Sequence, residues 1–175
     1  MRVSKIATLL ILACFSLSTG CTSMSAENPT IETRAQSEVN AEIKGVSSQV
    51  LDLIALQGDV SEPGPGVGKC SEGDLNTHYV MRHTWSFWGP NKATLEKALE
   101  RLKRDLPDAG WEVKKYGPRD NPNKTLTLIA DQPEMKYGAN IEFWKERKSD
   151  GKPMLLVMIV SACYRVPPGE TVERY

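Results

Sequence analysis

Two apolar stripes at helical spacing, five runs that alternate or are wholly apolar, and a turn signature between the last two runs predict an α+β fold. The expected architecture is a mainly antiparallel sheet of about five strands with two helices packed on one face, in the order α-β-α-β-β-β-β. The first helix is predicted over residues 35–56. Val39, Ile43, Val46, Val50, Leu53 and Ile54 recur at intervals of three and four and make one stripe, and Gln57-Gly58 ends it. Residues 61–68, Ser-Glu-Pro-Gly-Pro-Gly-Val-Gly, form a breaker-rich connector. Their glycines do not make a phosphate cradle, because no Lys-Ser/Thr pair and no helix follow.

The first strand is predicted over residues 78–88. Alternation puts Tyr79, Met81, His83, Trp85 and Phe87 on one face and Val80, Arg82, Thr84, Ser86 and Trp88 on the other. Gly89-Pro90 stops it, and Asn91 is placed to cap a second helix running to about Leu106. Leu95, Ala98, Leu99, Leu102 and Leu106 supply its buried stripe, and charged residues fill the opposite side. Pro107 and Gly110 end it. Four strands follow, over residues 111–116, 124–130, 138–146 and 153–163. In the third strand of the sheet Leu126, Leu128 and Ala130 point inward and Thr125 and Thr127 outward; in the next, Ile141 and Phe143 point inward. Lys148-Ser149-Asp150-Gly151 is the hairpin signature between the last two. Residues 154–160 are continuously apolar, as in a central strand buried on both faces and too short to span a bilayer. Val166-Pro167-Pro168-Gly169 opens an extended, mobile tail.

The amino terminus is organised differently. Arg2 and Lys5 precede an apolar segment over residues 6–15, which is about ten residues and well under the roughly 20 of a transmembrane helix. Small residues then lead to Cys21. Leu17-Ser18-Thr19-Gly20-Cys21 resembles a lipobox, the site read by lipoprotein diacylglyceryl transferase and signal peptidase II. Ser18 stands where that family prefers leucine, and Leu17 lies one place earlier. The resemblance implies a signal peptide over 1–20, a lipidated (palmitate-bearing) Cys21, and anchoring to the outer face of a bacterial cell membrane. The expected organisation is a lipidated tether over 21–34, a single α+β domain over 35–167 and a tail over 168–175. The layout also resembles small actinobacterial cell-envelope lipoproteins, most of which have no assigned activity.

Composition fits that placement. Basic and acidic residues balance at 22 each; removing Arg2 and Lys5 leaves a slight acidic excess. A nucleic-acid surface is not expected, and membrane attachment falls to acyl chains, of which stable anchoring needs more than one. With Cys14 in the signal and Cys21 lipidated, Cys70 and Cys163 remain as an even pair in an oxidising compartment, and a disulfide is expected. The competing reading is two unpaired, buried thiols.

No catalytic, cofactor or metal motif is present. His78 and His83 lie five residues apart on one strand, so their side chains leave by opposite faces. Gly-x-Ser-x-Gly, His-Glu-x-x-His and Cys-x-x-Cys are absent. Asp105, Asp108, Glu112, Asp131, Glu134 and Glu142 are plentiful carboxylates without a diagnostic spacing. The aromatics are more informative. Trp88 and Trp144 fall opposite the core residues of their own strands, on a face shared with Arg82, Thr84, Thr125, Thr127 and Glu142. That amphipathic face is the expected binding surface for an envelope protein or lipid-like partner, with Trp88, Trp144 and Arg82 as its candidate contacts. An envelope hydrolase using a carboxylate pair and a purely structural envelope protein are the alternatives.

Overall fold

The computed structural model describes residues 31–174. The expected signal peptide over 1–20, Cys21 and most of the expected tether lie outside the described residues, as does Tyr175. The elements are β1 (Glu32–Thr33), α1 (Gln36–Ile54), β2 (Asp59–Val60), β3 (Gly66–Gly68), β4 (His78–Trp88), α2 (Lys92–Asp105), β5 (Glu112–Pro118), β6 (Leu126–Gln132), β7 (Tyr137–Trp144), β8 (Met154–Ser161) and β9 (Tyr164–Arg165).

The expected five-stranded antiparallel sheet in the order α-β-α-β-β-β-β is not what forms. Among the described residues the sheet has nine strands, is curled, and is mixed. Its main path runs β1-β9-β4-β8-β7-β6-β5, and β2 and β3 add to β4 off that path. The β1–β9 pairing is parallel and the others are antiparallel. The four strands missing from the expectation are two or three residues long. Segments that short carry no alternation; their strand character comes from the hydrogen-bonding edges that β4 and β9 offer them. The curl has local sources. The register slips between Val113 and Lys115 in β5, and a break at Ala162-Cys163 separates β8 from β9 although both pair with β4. Extra residues of this kind bend a strand and increase its twist.

Helix α1 buries Val39, Ile43, Val46, Val50 and Ile54, its predicted stripe, together with Ser47. It stops with Ala55 in the left-handed region at φ 49°, three residues before the glycine expected to end it. Helix α2 begins where Asn91 accepts a hydrogen bond from the Thr94 amide at 3.0 Å. Its last turn carries Lys103 and Arg104, which suit the negative end of the helix dipole. A short 3₁₀ turn over Pro107–Ala109 then leads to Gly110, whose φ of 83° suits glycine. Both helices pack on one side of the sheet, α1 against β4 and β8 and α2 against β7 and β8. Tyr79, Met81, Phe87, Leu128, Ile141, Phe143, Val157 and Ile159 meet them there, each at most 1 % exposed.

Two fastenings close the molecule. Cys70 and Cys163 form a disulfide with a Cα–Cα distance of 5.6 Å, joining the segment after β3 to the β8–β9 break. At the entrance to α1, Arg34 pairs with Glu42 at 2.7 Å and lies over the Tyr164 ring, while its carbonyl accepts from the Tyr79 hydroxyl at 3.0 Å. The C-terminal tail is extended but not free. Val172 N–H donates to the Asn76 carbonyl at 2.7 Å, and Glu173 exchanges two hydrogen bonds with the Gln36 side chain. These bonds give the extended tail partners just before β4 and at the start of α1.

Candidate binding face on the uncovered side of the sheet

Strand register assembles the face from residues far apart in sequence. Trp88 on β4 stands opposite Met154 on β8, and Met154 stands opposite Trp144 on β7. Adjacent strands lie about 4.8 Å apart, so the two tryptophans flank Met154 in a row about 10 Å wide. From Met154 the same side of β8 continues through Leu156, Met158 and Val160. These three are half-buried, whereas Leu155, Val157 and Ile159, on the helix side, are wholly buried. The apolar run 154–160 therefore differs from the expected doubly covered strand: among the described residues its outer side is only partly covered at Leu156, Met158 and Val160, although Met154 is 8 % exposed. Ile129, opposite Asn140 on the next strand, is 37 % exposed. Asn140 separates Ile129 from Met158, so the contiguous apolar surface is the Trp88–Met154–Trp144 row and the β8 line that leads from it.

Each candidate contact has a definite setting. Trp88 is half-buried beneath Arg147, whose guanidinium lies 4.6 Å from the ring centroid. Arg147 belongs to the β7–β8 loop and is held by Asp150, with Nε 2.9 Å from Oδ1. That paired hydrogen bond, with the positive charge beside it, holds the Asp150 carboxyl below the usual aspartate range. Trp144 is half-buried and donates from Nε1 to Glu142 Oε2 at 2.9 Å. Arg82 is exposed on the same face, opposite Val160. Six residues of strand place it about 20 Å from Trp88, so it belongs to the other end of the face and not to the tryptophan row.

Glu142, grouped in the sequence with unassigned carboxylates, is the polar centre of the Trp144 end. Its side chain is only 11 % exposed. It takes a salt bridge from Arg119, a hydrogen bond from Asn140 Nδ2 at 3.3 Å, and the Trp144 indole bond. A buried carboxylate needs this degree of hydrogen bonding to stay charged without a large penalty. Arg119 reaches it from the β5–β6 connection. Asn121 shapes that connection by accepting from Thr125 N–H at 3.1 Å and donating to Thr125 Oγ1 at 3.2 Å. Between the connection and the end of β7 lies a hollow of about 460 Å³, with Glu142 at its side and Asn121, Asn123, Thr125, Trp144, Lys145 and Glu146 around it. Arg119, Asn123 and Met154 were not singled out in the sequence. Asn121-Pro122-Asn123 is a recognisable turn signal, but nothing local indicates that the turn folds toward Trp144.

The histidines are structural in their contacts. His83 Nδ1 lies 2.7 Å from Ser47 Oγ and Nε2 lies 2.9 Å from the Pro63 carbonyl, so it joins α1, β4 and the β2–β3 connector. His78 contacts Thr77 and Arg165. Among the described residues no three His, Cys, Asp or Glu side chains gather as metal ligands, and no helix is long and apolar enough to cross a membrane. No protein-family model, curated protein or solved structure matches this chain.

Proposed function

We propose that the protein is an exported lipoprotein, anchored through Cys21 to the outer face of a bacterial cell membrane, whose uncovered sheet face binds a partner protein or a hydrophobic envelope component without catalysing a reaction. The observation that carries the binding role is the Trp88–Met154–Trp144 row with its extension through Leu156, Met158 and Val160. Met154 is already buried between the tryptophans, and completing the burial of the half-buried Trp88, Trp144, Leu156 and Met158 recovers only part of the about 1.5–3 kcal/mol that burying each from full exposure would give. Aromatic and methionine side chains at the centre of a patch are typical of contact surfaces. The anchor rests on the resemblance of residues 17–21 to a lipobox. The Cys70–Cys163 disulfide supports export, because such bonds persist in oxidising compartments.

Two arms test the reading. Cys21→Ser should move the protein from the membrane fraction to the soluble exported fraction; a protein that stays in the membrane contradicts the anchor. The double variant Trp88→Ala, Trp144→Ala should fold and lose its bound partner; unchanged binding contradicts the face.

A further inference from the structure

The hollow beside Trp144 has a chemistry of its own. Its volume of about 460 Å³ lies in the lower half of the range of about 300–1,000 Å³ usual for small-molecule sites. Its wall is mixed, with polar and apolar surface in similar measure: Asn121, Asn123, Thr125, Lys145 and Glu146 bring hydrogen-bonding groups, and Phe143, Trp144 and the side-chain stems bring apolar surface. Amides and hydroxyls both donate and accept, which suits a ligand rich in groups that do the same. Trp144 is the aromatic surface in this wall, and its orientation is fixed by the indole bond to Glu142. The charges cancel: Arg119 neutralises Glu142, and Lys145 stands near Glu146 in the sequence and in the wall. A phosphate or acidic peptide calls for an excess of cations, which the hollow lacks, and an acyl chain calls for a wall without this many hydrogen-bonding groups and charges.

From this combination we infer that the hollow is a binding site for a neutral saccharide, one ring of which stacks on Trp144 while its hydroxyls bond to Asn123, Thr125, Lys145 and Glu146. Sugar rings present C–H groups on a face and hydroxyls at the rim, which complements a fixed aromatic plane set among amides and charged groups. This goes beyond the apolar contact proposed for the tryptophan row; the two share Trp144, and Asn123 and Lys145, which lie outside that row, tell them apart. The saccharide could reach the site as a free glycan or as the headgroup of a glycolipid.

The test uses the full-length protein titrated with soluble neutral tetrasaccharides of glucose and of N-acetylglucosamine, and with phosphatidylcholine vesicles with and without a neutral glycosyl-diacylglycerol. Heat of binding and tryptophan emission report the result. The expected outcome is saturable binding that weakens at least about tenfold in Trp144→Ala, as loss of a stacked aromatic surface implies, and similarly in the exposed-site variant Asn123→Ala. Lys97→Ala, exposed on α2 and part of neither the hollow nor the tryptophan row, should bind as the wild type does, and Trp144→Phe should recover most of the affinity. Binding to the soluble sugars assigns a free glycan, and binding to the glycosylated vesicles alone assigns a lipid headgroup. Absence of saturable binding to every sugar, or sugar binding that survives both Trp144→Ala and Asn123→Ala, overturns the inference. Equal binding to vesicles with and without the glycolipid, with no response to soluble sugar, overturns it too, since the lipid anchor proposed at Cys21 accounts for such binding by itself.

Discussion

Removing the disulfide should be the most damaging change that leaves every other side chain in place. Cys70 and Cys163 are 93 residues apart, so their bond closes a loop covering most of the domain. The chain-entropy relation then gives about 4–5 kcal/mol of stabilisation through restriction of the unfolded chain. A domain of this size has a total stability of about 5–15 kcal/mol, so the bond supplies a third or more of it. The double variant Cys70→Ala, Cys163→Ala avoids a stray thiol. Urea unfolding followed by the emission of the buried Trp85 and Trp111 should show a midpoint lowered by that amount of free energy, and thermal unfolding should occur about 10–15 °C lower. The bridge lies seven or more residues along β8 from Met154, so the folded double variant should keep the wild-type environment of Trp88 and Trp144. A loss below about 1.5 kcal/mol would refute the entropic argument. Two titratable thiols in the unreduced, unfolded protein would refute the bond itself.

Three further changes probe local geometry. Ala55→Gly should stabilise by about 0.5–1 kcal/mol in urea unfolding, since alanine at φ 49° ends α1 where glycine carries no steric cost. Gly58→Ala should destabilise by about 1–3 kcal/mol, because its Cβ would fall within 2.6 Å of the Phe87 ring and closer still to the Trp88 carbonyl; a neutral result would show that this connector can shift away from β4. Asp150 titrates below the ordinary aspartate value, so its clamp on Arg147 is intact above that value and is lost as pH falls through the lowered one. Tryptophan emission should therefore hold steady from pH 7 to about 5 and change below about 4 as Arg147 leaves Trp88, and Asp150→Asn should remove that acid step.

The long elements were legible because periodicity is a property of the chain itself. Residues 78–88 alternate and form β4 over those residues, and Asn91 caps α2 as its side chain predicts. Most of the helix stripes read from the sequence are buried, but Leu53 is only partly so, Ser47 is buried in addition, and Leu106 falls just past the end of α2. What was not legible depends on partners distant in sequence. Glu32-Thr33 was assigned to a tether, yet it pairs in parallel with Tyr164-Arg165. Gly66–Gly68 was read as breaker-rich loop, yet it pairs with Val80–Arg82 because the edge of β4 is free to receive it. Those short pairings, the β5 bulge and the β8–β9 break turn an expected five-stranded layer into a curled mixed sheet.

The candidate face divides in the same way. Alternation alone put Trp88 and Trp144 on one side of the sheet. Only the register with Met154 makes them neighbours, and the same register moves Arg82 to the far end. Glu142 shows the limit most clearly. As a residue in sequence it is one carboxylate among many; its role beneath Arg119, Asn140 and Trp144 is created by the fold of the β5–β6 connection over the sheet.

Native mass spectrometry of the protein purified from the membranes of an exporting host tests the binding role most directly. The account predicts a reproducible extra mass, whether a small apolar molecule or a partner chain, that dissociates on activation and is missing from the folded Trp88→Ala, Trp144→Ala variant. A bare wild-type protein, or the same extra mass on the variant, would contradict it.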